Sequence, residues 1–140
     1  MSLLDVEAVD AYYGESHILR DLSVTVEEGE ICALLGRNGA GKTTTLRSIA
    51  GAKPPEIRNG SVTFKGDDIT SLPADDVAMQ GISLVPEERR VFPNLTVAEN
   101  LRIAEVSRNR SNTWRRPLTA TGRSMSTEEV YGDFPRLRER

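Results

Sequence analysis

The sequence predicts an α/β fold, and three of its features carry that prediction. Ile31 to Leu35 is a short continuous apolar run bounded by glycines, the pattern of a strand covered on both faces, as in a parallel sheet. A glycine-rich loop, Gly36 to Gly41, follows it directly and runs into a helix pattern. Two alternating apolar segments come before both, separated by a turn, and predict an antiparallel β part at the N-terminus.

Taken in order, Leu3 to Val9 alternates about Leu4, Val6 and Ala8 and predicts the first strand, broken at Tyr12-Tyr13-Gly14. Leu22 to Val26 alternates about Leu22, Val24 and Val26 and is turned by Glu27-Glu28-Gly29. After the loop, Lys42 to Gly51 predicts a helix with Leu46, Ile49 and Ala50 on its inner face and Gly51 at its end. Pro54-Pro55 and Asn59-Gly60 mark turns before a short strand over Ser61 to Phe64. Pro73 suits a helix first turn, Asp75 and Asp76 favour the positive end of its dipole, and Gly81 closes it. Ile82 to Val85 predicts a further strand, stopped by Pro86. Thr96 with Glu99 is a capping box opening a helix to about Val106, and Ser126 with Glu129 is a second one, opening a short helix that Pro135 interrupts. Between them, Arg108 to Ser126 is rich in Arg, Ser, Asn and Thr and predicts a polar loop or insertion.

Composition narrows the function. The chain has 140 residues, 38 % of them apolar and 28 % charged, the balance of a soluble globular protein. The longest apolar run has five residues, too few to cross a bilayer. The acids Asp5, Glu7 and Asp10 near the N-terminus do not suit a secretory leader. Cys32 is the only cysteine and His17 the only histidine, which excludes an internal disulfide and a multi-cysteine metal site. Residues 1–106 hold ten basic and seventeen acidic side chains, whereas residues 107–140 hold eight and four. A boundary near Val106 follows. A general nucleic-acid binder is disfavoured, and Trp114 among Arg108, Arg110, Arg115 and Arg116 reads as part of a solvated insertion.

Gly36-Arg37-Asn38-Gly39-Ala40-Gly41-Lys42-Thr43 matches G-x-x-x-x-G-K-[ST]. A polyphosphate is a compact set of anionic oxygens, and backbone N–H groups converge on it only where glycines accept unusual dihedrals. The helix starting at the end of the loop adds unpaired N–H groups and partial positive charge. Lys42 supplies a mobile point charge for the β- and γ-phosphates, and the Thr43 hydroxyl a ligand for Mg²⁺.

At these residues the sequence resembles a known family. Gly36 to Thr45 (GRNGAGKTTT), Glu28-Gly29-Glu30 before it and the strand-turn-strand upstream are similar to the nucleotide-binding domain of an ABC transporter. Ser83 to Leu101 (SLVPEERRVFPNLTVAENL) resembles the ATPase subunits of branched-chain amino acid importers and their amide or urea relatives. The resemblance covers residues 3–106 and resumes at Glu128 to Arg140, where Tyr131 and Phe134-Pro135-Arg136-Leu137 fit the family's helical subdomain. It implies a P-loop NTPase fold of the ABC ATPase type, incomplete, with an N-terminal antiparallel β subdomain. Residues 1–106 would be the N-terminal part, with the phosphate loop at 36–43 and the Q-loop region at 83–90. Residues 107–127 would be a polar basic insertion and 128–140 the start of the helical subdomain.

The resemblance also implies roles. ATP and Mg²⁺ are the cofactors, with Gly36, Arg37, Asn38, Gly39, Ala40, Gly41, Lys42, Thr43 and Thr44 holding the phosphates. Tyr13 falls where an aromatic ring stacks on adenine, with Tyr12 the weaker candidate of the pair. Glu87 falls where a Gln usually touches Mg²⁺ and the attacking water; a carboxylate binds Mg²⁺ but donates no hydrogen bond at neutral pH. Glu88 departs from the small residue of the relatives. His17 lies upstream of the phosphate loop, unlike the family's switch histidine, and reads as a surface residue of the strand-turn region.

The implied partners are membrane permease subunits, a second ABC ATPase subunit in a head-to-tail dimer and, indirectly, an extracytoplasmic substrate-binding protein, with no nucleic acid. The implied place is the cytoplasmic face of the membrane. The sequence contains no L-S-G-G segment and no apolar run ending in Asp-Glu. The expectation is therefore a truncated subunit that binds ATP weakly, aggregates readily and does not hydrolyse ATP alone, Lys42 being its one transition-state charge. The alternatives are a non-catalytic regulator of a full-length subunit and, less favoured, a nucleic-acid-linked ATPase of the same superfamily.

Overall fold

The computed structural model describes residues 2–88, 91–110 and 126–138. The chain divides into two units, residues 1–84 and 85–140, and each is described by itself.

The first unit is built on a four-stranded antiparallel sheet of order β2-β1-β3-β4, with β1 Ser2–Tyr13, β2 Ser16–Glu27, β3 Glu56–Phe64 and β4 Asp67–Asp68. The first two strands are longer than their alternation suggests. Gly14, at φ 58, occupies the first position of a two-residue hairpin loop, so both strands run to the turn and Tyr12 and Tyr13 belong to β1. Alternation undercounted them because bulges interrupt it. Ala8 takes φ 48 and shifts the pairing of β1 with β3 between Glu7 and Asp10. The core face therefore changes phase from Val6 to Val9 and Ala11, with exposures of 3 %, 0 % and 0 %. Ala8 itself, expected among the inward residues, sits in the bulge. Gly60 faces it across the strands: a Cβ there would stand 2.4 Å from the carbonyl oxygens of Glu7 and Ala8, so only glycine fits.

Helix α1, Lys42–Ile49, packs against β1, β2 and β3. Its end is a Schellman motif. The Ala52 N–H donates to the Arg47 carbonyl, the Gly51 N–H donates to the Ser48 carbonyl, and Gly51 takes φ 67. Its inner face departs from the apolar stripe. Thr44, Thr45 and Ser48 are buried beside the expected Ala50 and the partly buried Ile49, whereas Leu46 is 48 % exposed. Small side chains let the helix lie close to the sheet, and the Ser48 hydroxyl is buried there with no hydrogen-bond partner among the described residues. Helix α2, Ala74–Gln80, starts after Pro73 and stops at Gly81, φ 108, as the sequence implies. Its Val77 is fully buried in the core with Val6, Val9, Ala11, Leu19, Val62, Phe64 and Ile69.

Two expected strands do not form. Residues 31–35 have no regular structure; Ile31 is 97 % and Leu35 87 % exposed, and Cys32 is exposed with them. Residues 82–85 are irregular as well, although Ile82 packs against the core. A parallel strand is held by ladders to its neighbours, and among the described residues no strand runs beside either segment. The antiparallel β subdomain is thus in place, while the sheet described has no parallel pair.

In the second unit, α3 is Val97–Arg110 and extends past the expected boundary at Val106. Its capping box is formed. The Thr96 N–H donates to Glu99 Oε2 at 2.8 Å, and the Glu99 N–H donates to Thr96 Oγ1 at 3.3 Å. The remainder of the expected polar insertion, residues 111–125, lies outside the described residues. Helix α4, Thr127–Asp133, opens with the second capping box, Ser126 with Glu129, and a 3₁₀ turn, Pro135–Leu137, follows it. Arg138 pairs with Glu128 at 2.7 Å and lies over the Tyr131 ring.

Candidate functional site

The residues of the phosphate-loop motif come together at the N-terminus of α1. Arg37, Asn38, Gly39 and Ala40 are exposed, Gly41 is buried, Lys42 is half-buried, Thr43 is exposed and Thr44 is 7 % exposed. A tight turn shapes the loop: the Ala40 N–H donates to the Arg37 carbonyl at 3.1 Å, with Gly39 at φ 84 in the third position, where glycine is favoured. A Cβ on Gly39 would meet nothing within 4 Å, so that side of the loop is open.

Gly41 anchors the loop to the sheet. It takes φ 92, and a Cβ there would stand 2.7 Å from Leu19 Cδ2 and 3.8 Å from Ile18 Cγ2 of β2. The Gly41 carbonyl accepts from the Thr45 N–H at 2.8 Å and from Thr45 Oγ1 at 3.0 Å. With no side chain at the cap, the first-turn N–H groups of α1 are left to a ligand, and the helix dipole favours an anion there.

Lys42 Nζ donates to the Gly36 carbonyl at 2.8 Å and to the Arg37 carbonyl at 2.9 Å. The ammonium is thereby held over the mouth of the loop. Two of its three protons are used, and the carbonyl partners are ones a phosphate oxygen replaces at little cost, because a charge-assisted bond to an anion is stronger.

The structure separates the two tyrosines. The Tyr12 ring stacks on the His17 ring with centroids 4.2 Å apart and planes 11° apart, and the Arg58 guanidinium lies 4.5 Å from the same centroid. Both groups lie against the Tyr12 ring, which is thus engaged by the protein's own side chains. Tyr13 alternates with it, shares the strand phase of Val9 and Ala11, and is half-buried. Ala11 pairs with Leu19, the residue on which Gly41 rests. Tyr13 therefore belongs to the loop's side of β1.

His17 is half-buried rather than a surface residue. Its Nε2 lies 3.0 Å from Asp10 Oδ1, which also accepts from the Asp21 N–H at 3.0 Å. Asp10 Oδ2 accepts from Asn59 Nδ2 at 3.4 Å. The Asp21 N–H, then His17, hold the Asp10 carboxyl below the ordinary aspartate value of 3.8. Asp10 on the middle strand thus ties β2 and β3 together at the bulges. Sequence reasoning missed Asp10, Leu19 and Arg58. The one available signal was an acid and the lone histidine seven residues apart on either side of the Tyr-Tyr-Gly turn.

Glu87 lies in the second unit, exposed, at a bend. Among the described residues no three His, Cys, Asp or Glu side chains gather as a metal site, and no helix is long and apolar enough to cross a membrane.

The family model for "ABC transporter" matches residues 19–134. The chain is 36 % identical over 138 residues to the high-affinity branched-chain amino acid transport ATP-binding protein BraG of Pseudomonas aeruginosa, covering 99 % of this chain and 54 % of that protein. It is 36 % identical over 135 residues to the lipopolysaccharide export system ATP-binding protein LptB of Haemophilus influenzae, covering 96 % and 52 %. A solved ATP-binding cassette of an ABC transporter superposes with a TM-score of 0.70 at 27 % identity, covering 99 % of this chain and 56 % of that one. The chain spans about half the length of the curated relatives it matches.

Proposed function

We propose, since the chain belongs to the ABC transporter family, that it is the ATP-binding part of a transport ATPase and takes Mg-ATP at the loop of Gly36 to Thr44. The observation that carries this reading is Lys42 held at the loop mouth by the Gly36 and Arg37 carbonyls, above a helix N-terminus that no side chain caps.

Each residue then has a task. Glycine at 39 and 41 permits the positive φ that curves the backbone around phosphate oxygens. Lys42 exchanges its loop carbonyls for β- and γ-phosphate oxygens and offsets their charge. Tyr13 supplies the ring face for adenine. The Thr43 hydroxyl is a hard oxygen donor, exposed to solvent, of a type that suits Mg²⁺, and the exposed Glu87 carboxylate of the second unit is by itself a donor of the same type. Such donors would hold Mg²⁺, which would offset the negative charge of the β- and γ-phosphates.

The cargo we favour is a branched-chain amino acid or related amide, on the Ser83 to Leu101 segment and the similarity to BraG. Lipopolysaccharide export is the second reading, favoured by equal identity to LptB. Membrane permease subunits and a second ATPase subunit, paired head to tail, are the proposed partners, on the inner face of the cell membrane. An extracytoplasmic binding protein joins them under the importer reading only.

Residues 1–140 contain no L-S-G-G segment and no apolar run ending in Asp-Glu, so we assign to these residues nucleotide binding without turnover. Phosphate release from the purified 140-residue chain tests this. The expected result is no steady release above background; steady release abolished by Lys42→Ala would overturn it.

A further inference from the structure

Arg58 touches both the ring beside Tyr13 and the turn after it. From β3 its Nη2 donates to the Gly14 carbonyl at 2.8 Å, and its guanidinium covers the Tyr12 ring at 4.5 Å. His17 stacks on the same ring and is tethered by Asp10, which is itself bonded to β2 and β3. A continuous set of contacts therefore runs Asp10, His17, Tyr12, Arg58, Gly14 carbonyl. It ends on the residue that follows Tyr13, at the only turn of the β1–β2 hairpin.

The ion pairs of Arg58 with Glu15 at 3.7 Å and Glu56 at 3.6 Å are long, and all three side chains are substantially exposed. Exposed pairs of this kind contribute little. What distinguishes Arg58 is that one guanidinium donates to the Gly14 carbonyl and lies over the Tyr12 ring; a lysine, a point charge without a planar fork, keeps a donor for the carbonyl and matches the double contact less well. Hairpin tips with a glycine turn fray readily, and stacking a base on Tyr13 requires the end of β1 to hold one orientation.

We propose that Arg58 is a positioning residue for base binding, locking the Gly14 turn so that Tyr13 presents its ring on the side of the phosphate loop. This deepens the proposed function and rests on the reading of Tyr13 as the base-stacking residue.

The test compares two ligands with the 140-residue chain: Mg-ATP, which has a base, and tripolyphosphate, which has none. Tyr13→Ala is expected to weaken Mg-ATP by about fivefold or more and leave tripolyphosphate unchanged, from what a base gains by stacking on an aromatic ring. Arg58→Ala is expected to weaken Mg-ATP by about threefold to tenfold, no more than Tyr13→Ala, with tripolyphosphate unchanged. Arg58→Lys, which keeps a donor for the Gly14 carbonyl, is expected to fall between. Damage to the fold would lower both ligands together, so the ratio of the two affinities is a readout that a merely structural role does not move. Equal loss of both ligands in Arg58→Ala, or no loss of either, while Tyr13→Ala shifts the ratio, overturns the role of Arg58 alone. An unchanged ratio in Tyr13→Ala overturns the base-stacking reading, and the role of Arg58 with it.

Discussion

Replacing Gly41 by alanine separates what the phosphate loop owes to backbone freedom from what it owes to its seat on the sheet. Two costs arise at this position. The residue takes φ 92, a left-handed conformation that costs an L side chain about 1–2 kcal/mol. Its new Cβ would also stand 2.7 Å from Leu19 Cδ2. Leu19 is only 5 % exposed and is a member of the core, so moving it is an overpacking problem worth about 1–3 kcal/mol. Alanine stiffens the unfolded chain and returns about 0.4–1 kcal/mol. The net loss for Gly41→Ala is then about 1–5 kcal/mol. Gly39 is the internal control. Its φ is 84, but a Cβ there would meet nothing within 4 Å. Gly39→Ala is expected to cost about 0–1.5 kcal/mol, the backbone cost less the unfolded-chain return. Urea unfolding of both variants beside wild type, followed by far-ultraviolet circular dichroism, measures the difference. A gap of about 1–3 kcal/mol between them supports the seat on Leu19. Equal costs would show that Gly41 does not rest on the core and would refute the reasoning.

Three further outcomes are expected. The Asp10 carboxyl is held below 3.8 by the Asp21 N–H and then His17; a depressed folded value adds stability above the unfolded value and loses it as pH falls through the folded one. Wild type should therefore lose stability below about pH 3.8 more steeply than Asp10→Asn, by acid unfolding curves; parallel curves would contradict this. Ser48 Oγ is buried with no partner among the described residues, so Ser48→Ala is expected to keep or raise the unfolding midpoint, whereas a clear drop would mean that the hydroxyl is bonded. Ser126→Ala removes an N-cap bond worth about 1 kcal/mol, and amide exchange in the first turn of α4 should quicken by roughly fivefold; unchanged exchange would contradict the cap.

What could be read from the sequence was local. The loop Gly36 to Gly41, the Gly51 and Gly81 stops and both capping boxes each need only residues within about one helical turn of one another, and all of them formed. Strands over residues 31–35 and 82–85 did not form, because a strand needs a partner whose place the apolar run does not encode. The bulge at Ala8, which Gly60 faces, and the further register shift between Asp10 and Ala11 hid the true length of β1 and β3, since each disturbs the alternation on which strand reading depends. The buried face of α1 was read only in part: Ile49 and Ala50 turn inward as expected, but Leu46 is exposed and Thr44, Thr45 and Ser48, small enough to let the helix approach the sheet, are buried. At the site, the motif residues converged, while the contacts among Asp10, His17, Tyr12 and Arg58 join three strands and left no periodic trace.

The most direct test of the central claim is a calorimetric titration of Mg-ATP into the 140-residue chain and its Lys42→Ala variant. Lys42 Nζ sits on the Gly36 and Arg37 carbonyls, and a hydrogen bond from it to a charged phosphate is worth about 1.5–3 kcal/mol, roughly tenfold or more in affinity. Saturable binding by wild type, weakened at least that much in a folded Lys42→Ala chain, is the predicted result. Equal binding by both chains, or none by a folded wild type, would contradict the assignment of the loop as the nucleotide site.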